Sequence, residues 1–170
     1  LVCMVGRFSE AKDQKTLIRS MVNQKKDTHL LLIGEGPLKK ENEMFVKKLE
    51  LEPKVHFLGF RDDIASLLKT VDIVVQSSHW EGFGLAAVEG MAAGKPVLAS
   101  DVSGLSEIVK DYGILFEKGN HDELSEVLNR LLVDGDEYDK VSVACSARAN
   151  NFDMAVMVEN YLTVYQKCSP

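Results

Sequence analysis

Six short apolar runs recur along the chain, at 1–5, 29–33, 54–58, 72–76, 96–99 and 113–116. They are continuous rather than alternating, the pattern of strands covered on both faces, as in a parallel sheet. Between them the apolar positions return at helical spacing, near 14–25, 38–50, 62–70 and 85–93, with a shorter stretch near 104–109. Asp62 or Asp63 offers a cap for the third helix, Gly94 stops the fourth, and Pro96 opens the next strand. Beyond residue 120 the pattern is helical only, near 122–133, 136–148 and 153–167, and these helices are expected to flank the sheet. Strand and helix in alternation predict a Rossmann-like α/β fold, a parallel sheet with helices on both faces. No repeat or linker divides residues 1–170, which read as one domain.

The densest chemistry lies in Glu81-Gly82-Phe83-Gly84-Leu85-Ala86-Ala87-Val88-Glu89, where a glycine-rich turn joins a strand to a helix. Helix N-termini offer free N–H groups to phosphate, and glycine lets a ligand approach the main chain. Carboxylates instead accept hydrogen bonds from hydroxyls. The combination suits a nucleotide that carries a sugar. Glu89 stands in Ala86-Ala87-Val88-Glu89-Gly90-Met91-Ala92-Ala93, with no other polar side chain. A helix apolar nearly all round is expected to be buried, and a buried carboxylate needs a partner. A ligand hydroxyl would supply it.

These residues, followed by Met91-Ala92-Ala93-Gly94-Lys95-Pro96-Val97, resemble the donor-binding half of retaining GT-B glycosyltransferases of the family 4 (group 1) type. Agreement continues in order through Val5-Gly6-Arg7-Phe8 with Lys12, Gly34-Glu35-Gly36-Pro37, Val55-His56-Phe57-Leu58-Gly59, Asp101-Val102-Ser103-Gly104-Leu105-Ser106-Glu107 and Tyr112-Gly113-Ile114-Leu115-Phe116 with Gly119. The resemblance implies transfer of a sugar from a nucleotide-diphosphate sugar to an acceptor hydroxyl with retained anomeric configuration, in glycan, polysaccharide or glycolipid biosynthesis. UDP-sugars are the first expectation for the donor and GDP-sugars the second. It assigns Arg7 and Lys12 to the departing diphosphate, Glu81 to hydroxyls of the transferred sugar, and Glu89 to the ribose. Gly6, Gly82, Phe83, Gly84 and Leu85 would lie along the donor, and Gly59, Phe60 and Arg61 beside the base. Two readings stay open at Arg61, a base-side contact or a solvated charge, and at Ser78, a donor contact or a turn cap. Lys12 is followed by Asp13-Gln14 where many relatives have glycine.

Arg and Lys supply the positive charge that a leaving diphosphate needs, so no metal or other cofactor is expected. Asp134-Gly135-Asp136 spells a metal-binding D-x-D but falls between helices, where a solvated turn is expected. His79 reads as a turn residue and Trp80 as packing; His29, His56 and His121 lack partner spacing and read as structural or surface residues. The nicotinamide-type Rossmann alternative stays open but is weakened by Lys39, which stands where G-x-G-x-x-G needs its third glycine. A noncatalytic nucleotide-binding module of the same fold remains the other alternative.

Bulk properties narrow the partners. A net charge of −6 opposes a general nucleic-acid or anionic-membrane surface, and no apolar run approaches a membrane span of ~20 residues. Cys3, Cys145 and Cys168 are far apart without metal spacing, which suits reduced thiols in the cytoplasm. Leu1-Val2-Cys3-Met4-Val5 reads as a strand from its first residue, as expected of a fragment that follows an N-terminal acceptor domain.

Overall fold

The computed structural model describes residues 1–168. Its six strands are β1 (Val2–Val5), β2 (Leu30–Ile33), β3 (Val55–Gly59), β4 (Ile73–Gln76), β5 (Val97–Ser100) and β6 (Ile114–Phe116). They form one sheet in the order β3-β2-β1-β4-β5-β6, with every pairing parallel. The chain builds outward from β1 on one side and restarts at β4 on the other. The ends of β1 and β4 therefore flank the switch point, where open α/β sheets leave a crevice for ligands.

Side-chain alternation along each strand divides the core into two layers. Val2 and Met4 of β1 join Ile73 and Val75 of β4 on one face, beneath α1 (Gln14–Ser20), α2 (Lys39–Lys48) and α6 (His121–Leu131). Cys3 and Val74 point the other way, toward α3 (Ile64–Thr70), α4 (Leu85–Ala92), α5 (Ser106–Val109) and α7 (Gly135–Ala149). The predicted architecture, helices on both faces of a parallel sheet, is the one observed. Small residues bring α4 close to the sheet: a Cβ added at Gly90 would lie 2.9 Å from Val74 Cγ1. Gly94, at φ +72°, ends that helix as expected.

Two local expectations are corrected. Asp63 precedes α3 without capping it, because the Arg61 guanidinium grips both its carboxylate oxygens at 2.8 and 2.6 Å. That hydrogen bond also holds the Asp63 carboxyl below its ordinary range. The last helix, α8 (Met154–Cys168), does not flank the sheet and buries none of its residues. Met157, Tyr161 and Val164 on it face Phe83, Leu85 and Val88 across an apolar groove of about 490 Å³. No helix among the described residues is long and apolar enough to cross a membrane.

Candidate functional site: paired charges at the switch point

The loop after β1 runs from Gly6 to Asp13, and the loop after β4 from Ser77 to Gly84. Several contacts stitch the two together. His79 N–H donates to the Ala11 carbonyl at 2.8 Å, Ser77 Oγ donates to the Asp13 carbonyl at 2.8 Å, and Lys12 Nζ forms an ion pair with Glu81 Oε2. Ser78 Oγ reaches the same carboxylate oxygen at 3.4 Å. Lys12 lies flat over Gly6, whose missing Cβ would stand 3.4 Å from Lys12 Cδ. Both charged side chains are mostly shielded, with 20% and 18% of their surfaces exposed. The partly dry setting strengthens their attraction relative to water.

Arg7 is exposed, and no acidic side chain holds its guanidinium among the described residues. An exposed cation without an acidic partner among the described residues thus stands five positions before a shielded one. On the other strand end, Gly84 at φ +91° leads into α4 with no side-chain cap, leaving the first N–H groups of that helix for a ligand. Gly104 buttresses the loop from below. At φ +86° it lies so close to the Glu81 carbonyl that a Cβ there would collide with it. The sequence carried Gly104 within the family resemblance, but its role is visible only in the fold.

The burial expected of Glu89 is not observed. Ala87, Val88, Gly90 and Met91 take the inner face of α4, and Glu89 is exposed. Its carboxylate borders a groove of about 220 Å³ between α3 and α4, with Ile64, Leu68 and Ala93. Partial desolvation there raises its pKa above the ordinary carboxylate value. No protein group among the described residues hydrogen-bonds it.

The remaining expectations divide. Gly59, at φ +69°, accepts the Gly34 N–H at its carbonyl at 2.8 Å, and Phe60 beside it is 79% exposed. Arg61 is exposed and its guanidinium is engaged by Asp63. Phe83 turns its ring away from the loop interior and meets Phe152 edge-on, centroids 5.5 Å apart. Leu85 is 62% exposed and lines the apolar groove beside α8, so only the main chain of these two residues faces the switch point.

Asp13 explains the departure from glycine. It adopts the left-handed conformation, φ 46° and ψ 53°, that glycine favours, and it caps α1 by accepting from the Thr16 N–H at 3.3 Å. Histidine spacing hid one pair: His29 Nδ1 and His56 Nε2 lie 3.0 Å apart across the β2–β3 edge. Trp80, expected to pack, is 59% exposed. Cys3 and Cys145 are buried and Cys168 is exposed, all as free thiols. Asp134 caps α7 through the Glu137 N–H at 3.0 Å, as a turn residue should.

Comparison with known proteins agrees with this geometry. The chain is 41% identical over 132 residues to an uncharacterized glycosyltransferase of Methanocaldococcus jannaschii, covering 75% of this chain and 37% of that protein. It is 30% identical to the N-acetyl-alpha-D-glucosaminyl L-malate synthase of Bacillus anthracis, over 95% of this chain and 44% of the relative. It superposes with a TM-score of 0.93 on HepE of Anabaena, solved in complex with UDP, at 29% identity over 98% of this chain and 48% of that one. The chain thus spans less than half the length of these relatives. Residues 1–148 match the family described as glycosyl transferases group 1, and the chain belongs to that family.

Proposed function

We propose that this chain is the donor-binding half of a glycosyltransferase that moves a sugar from a UDP-sugar to an acceptor hydroxyl, with retention of anomeric configuration in the family 4 manner. The observation that carries the reading is the Lys12–Glu81 pair at the switch point, with the uncommitted Arg7 beside it. In the transfer, the bond between the anomeric carbon and the diphosphate oxygen breaks and a bond to the acceptor oxygen forms. The diphosphate leaves with the bonding electrons, the acceptor hydroxyl's proton passes to the departing diphosphate oxygen, and Arg7 and Lys12 face the developing charge. Glu81 accepts hydroxyls of the transferred sugar, Glu89 accepts the ribose hydroxyls, and the Gly82 to Leu85 main chain lies along the phosphates. The two cations supply the charge without a metal. HepE, bound to UDP in one structure and to UDP-glucose in another, supports uridine as the base.

The acceptor site belongs to a preceding domain of the same polypeptide, and the pathway is glycan, polysaccharide or glycolipid synthesis. The relatives' greater length supports such a domain. The apolar residues that α8 exposes, Tyr161, Leu162 and Tyr165 among them, also suit a second body.

A thermal-shift screen against UDP, GDP, ADP and NAD in metal-free buffer tests the reading. A nucleotide at 100 times its Kd adds about 2.7 kcal/mol of stability. Stabilisation by UDP is the expected result, by GDP alone would change the base, and by NAD alone would overturn the donor assignment.

A further inference from the structure

On the opposite side of the stitched loops lies a second cavity, of about 390 Å³, bounded by the start of α1, the start of α2 and the His79–Trp80 segment. It shares a wall with the diphosphate site. Lys12 and Glu81 face one way from that wall, whereas the adjacent Asp13 and His79 meet on the other, with His79 Nε2 3.5 Å from an Asp13 oxygen. Glu10, Asp13 and Glu41 line the cavity against one ammonium, Lys15, which is paired to Glu41 across the gap between α1 and α2. This balance repels phosphate and leaves acceptor oxygens in excess.

Two features single the cavity out from an acidic surface dip. Asn42 lines it at 2% exposure, donating Nδ2 to the Leu38 carbonyl at 2.8 Å, while its Oδ1 has no partner among the described residues. A buried acceptor without a donor is rare in folded proteins and costs stability. Trp80 then stands at the rim with more than half its surface exposed, an aromatic face with no core to fill.

We propose that this cavity binds a neutral sugar ring. The ring's C–H face would stack on Trp80, and its hydroxyls would donate to Glu10 and Asp13, while a turn of the Asn42 side chain would bring its unpaired Oδ1 to the ring. The ligand class is a neutral pyranoside, and a phosphorylated sugar is disfavoured by the same carboxylates. The binding does not rest on the donor reading above.

Trp80 is the one tryptophan of the chain, so its emission reports on the cavity directly. Titration with methyl glucoside and methyl N-acetylglucosaminide should give a saturable change in emission. Glu10→Gln, which touches no donor residue, should weaken it about tenfold, the loss of one charge-assisted hydrogen bond. UDP stabilisation should be unchanged in that variant. Trp80→Ala, followed by calorimetry, should abolish glycoside binding while the thermal transition of the protein persists.

No saturable response from folded protein overturns the proposal. So does binding that survives both substitutions, which would place the sugar elsewhere. A response to tetramethylammonium but to neither glycoside would make the cavity a cation site and equally overturn it. If glycosides bind as described but UDP does not stabilise the chain, the sugar site stands and the donor reading falls.

Discussion

Lys12 and Glu81 stand 69 residues apart in sequence and form an ion pair across the ends of β1 and β4. Their partnership makes the two residues competitors as well as neighbours. On the proposed reading, a diphosphate that reached Lys12 Nζ would draw it from Glu81 and free the carboxylate for sugar hydroxyls, so the donor's two halves would depend on Glu81 in opposite ways.

Glu81→Gln is expected to leave UDP binding equal or tighter, because the ammonium is no longer held by a carboxylate, while UDP-glucose gains less over UDP than it does with the parent. Calorimetric titration of both ligands checks this. A parallel loss for UDP and UDP-glucose would show that the pair is only structural.

Lys12→Ala should weaken UDP by roughly ten- to a hundredfold, the 1.5–3 kcal/mol range of a hydrogen bond to a charged group, and uridine hardly at all. Arg7→Ala should act in the same direction more weakly, since its side chain is exposed. Chelation with EDTA should change neither affinity. Equal losses for UDP and uridine would remove both cations from the phosphate role.

Glu89→Gln should separate stability from binding. Desolvation disfavours the charged carboxylate in the folded chain and raises its pKa above the unfolded value. Glu89 therefore contributes most below the ordinary carboxylate pKa of about 4.3, and that contribution is lost as pH rises through its higher folded value. The variant should melt at or above the parent temperature at pH 7, with the difference vanishing in acid, yet show a reduced shift with UDP. A variant that melts lower at neutral pH would mean that Glu89 has a structural partner.

Gly90→Ala would press a Cβ to within 2.9 Å of Val74 in the packed layer beneath α4. Overpacking of this kind costs about 1–3 kcal/mol, and urea unfolding should register it. A neutral result would show that α4 can lift from the sheet freely.

Burial pushes the Cys3 thiol up to about 12 and the Cys145 thiol up to about 11, leaving Cys168 as the exposed one. Because the thiolate is the reactive form, iodoacetamide at pH 8 should label one cysteine in native protein and three in denaturant. Mass spectrometry reads the count.

The strands and the order of motifs were legible because continuous apolar runs and strand-end glycines are local signals. Glu89 was misplaced for an equally local reason. Alanine and glycine carry no polarity, so Ala86, Ala92 and Ala93 did not reveal which side of α4 faces out. Pairings between distant segments were not legible: Lys12 with Glu81, His29 with His56, and Phe83 with Phe152 each depend on sheet order. Trp80 misled because a large aromatic is ordinarily read as packing, and only the fold shows its face uncovered. The amphipathic spacing of α8 likewise forecast burial that this chain alone does not supply.

The edge-on contact between Phe83 and Phe152 has a mechanical meaning. Phe152 closes the short 3₁₀ turn Asn150–Phe152 ahead of α8, and Arg148 stacks over its other side at 4.8 Å. The tip of the glycine loop thus leans on a ring at the root of the final helix. A tilt of α8 about Asp153 would displace that ring, and the displacement would be felt first at the glycine loop ahead of α4.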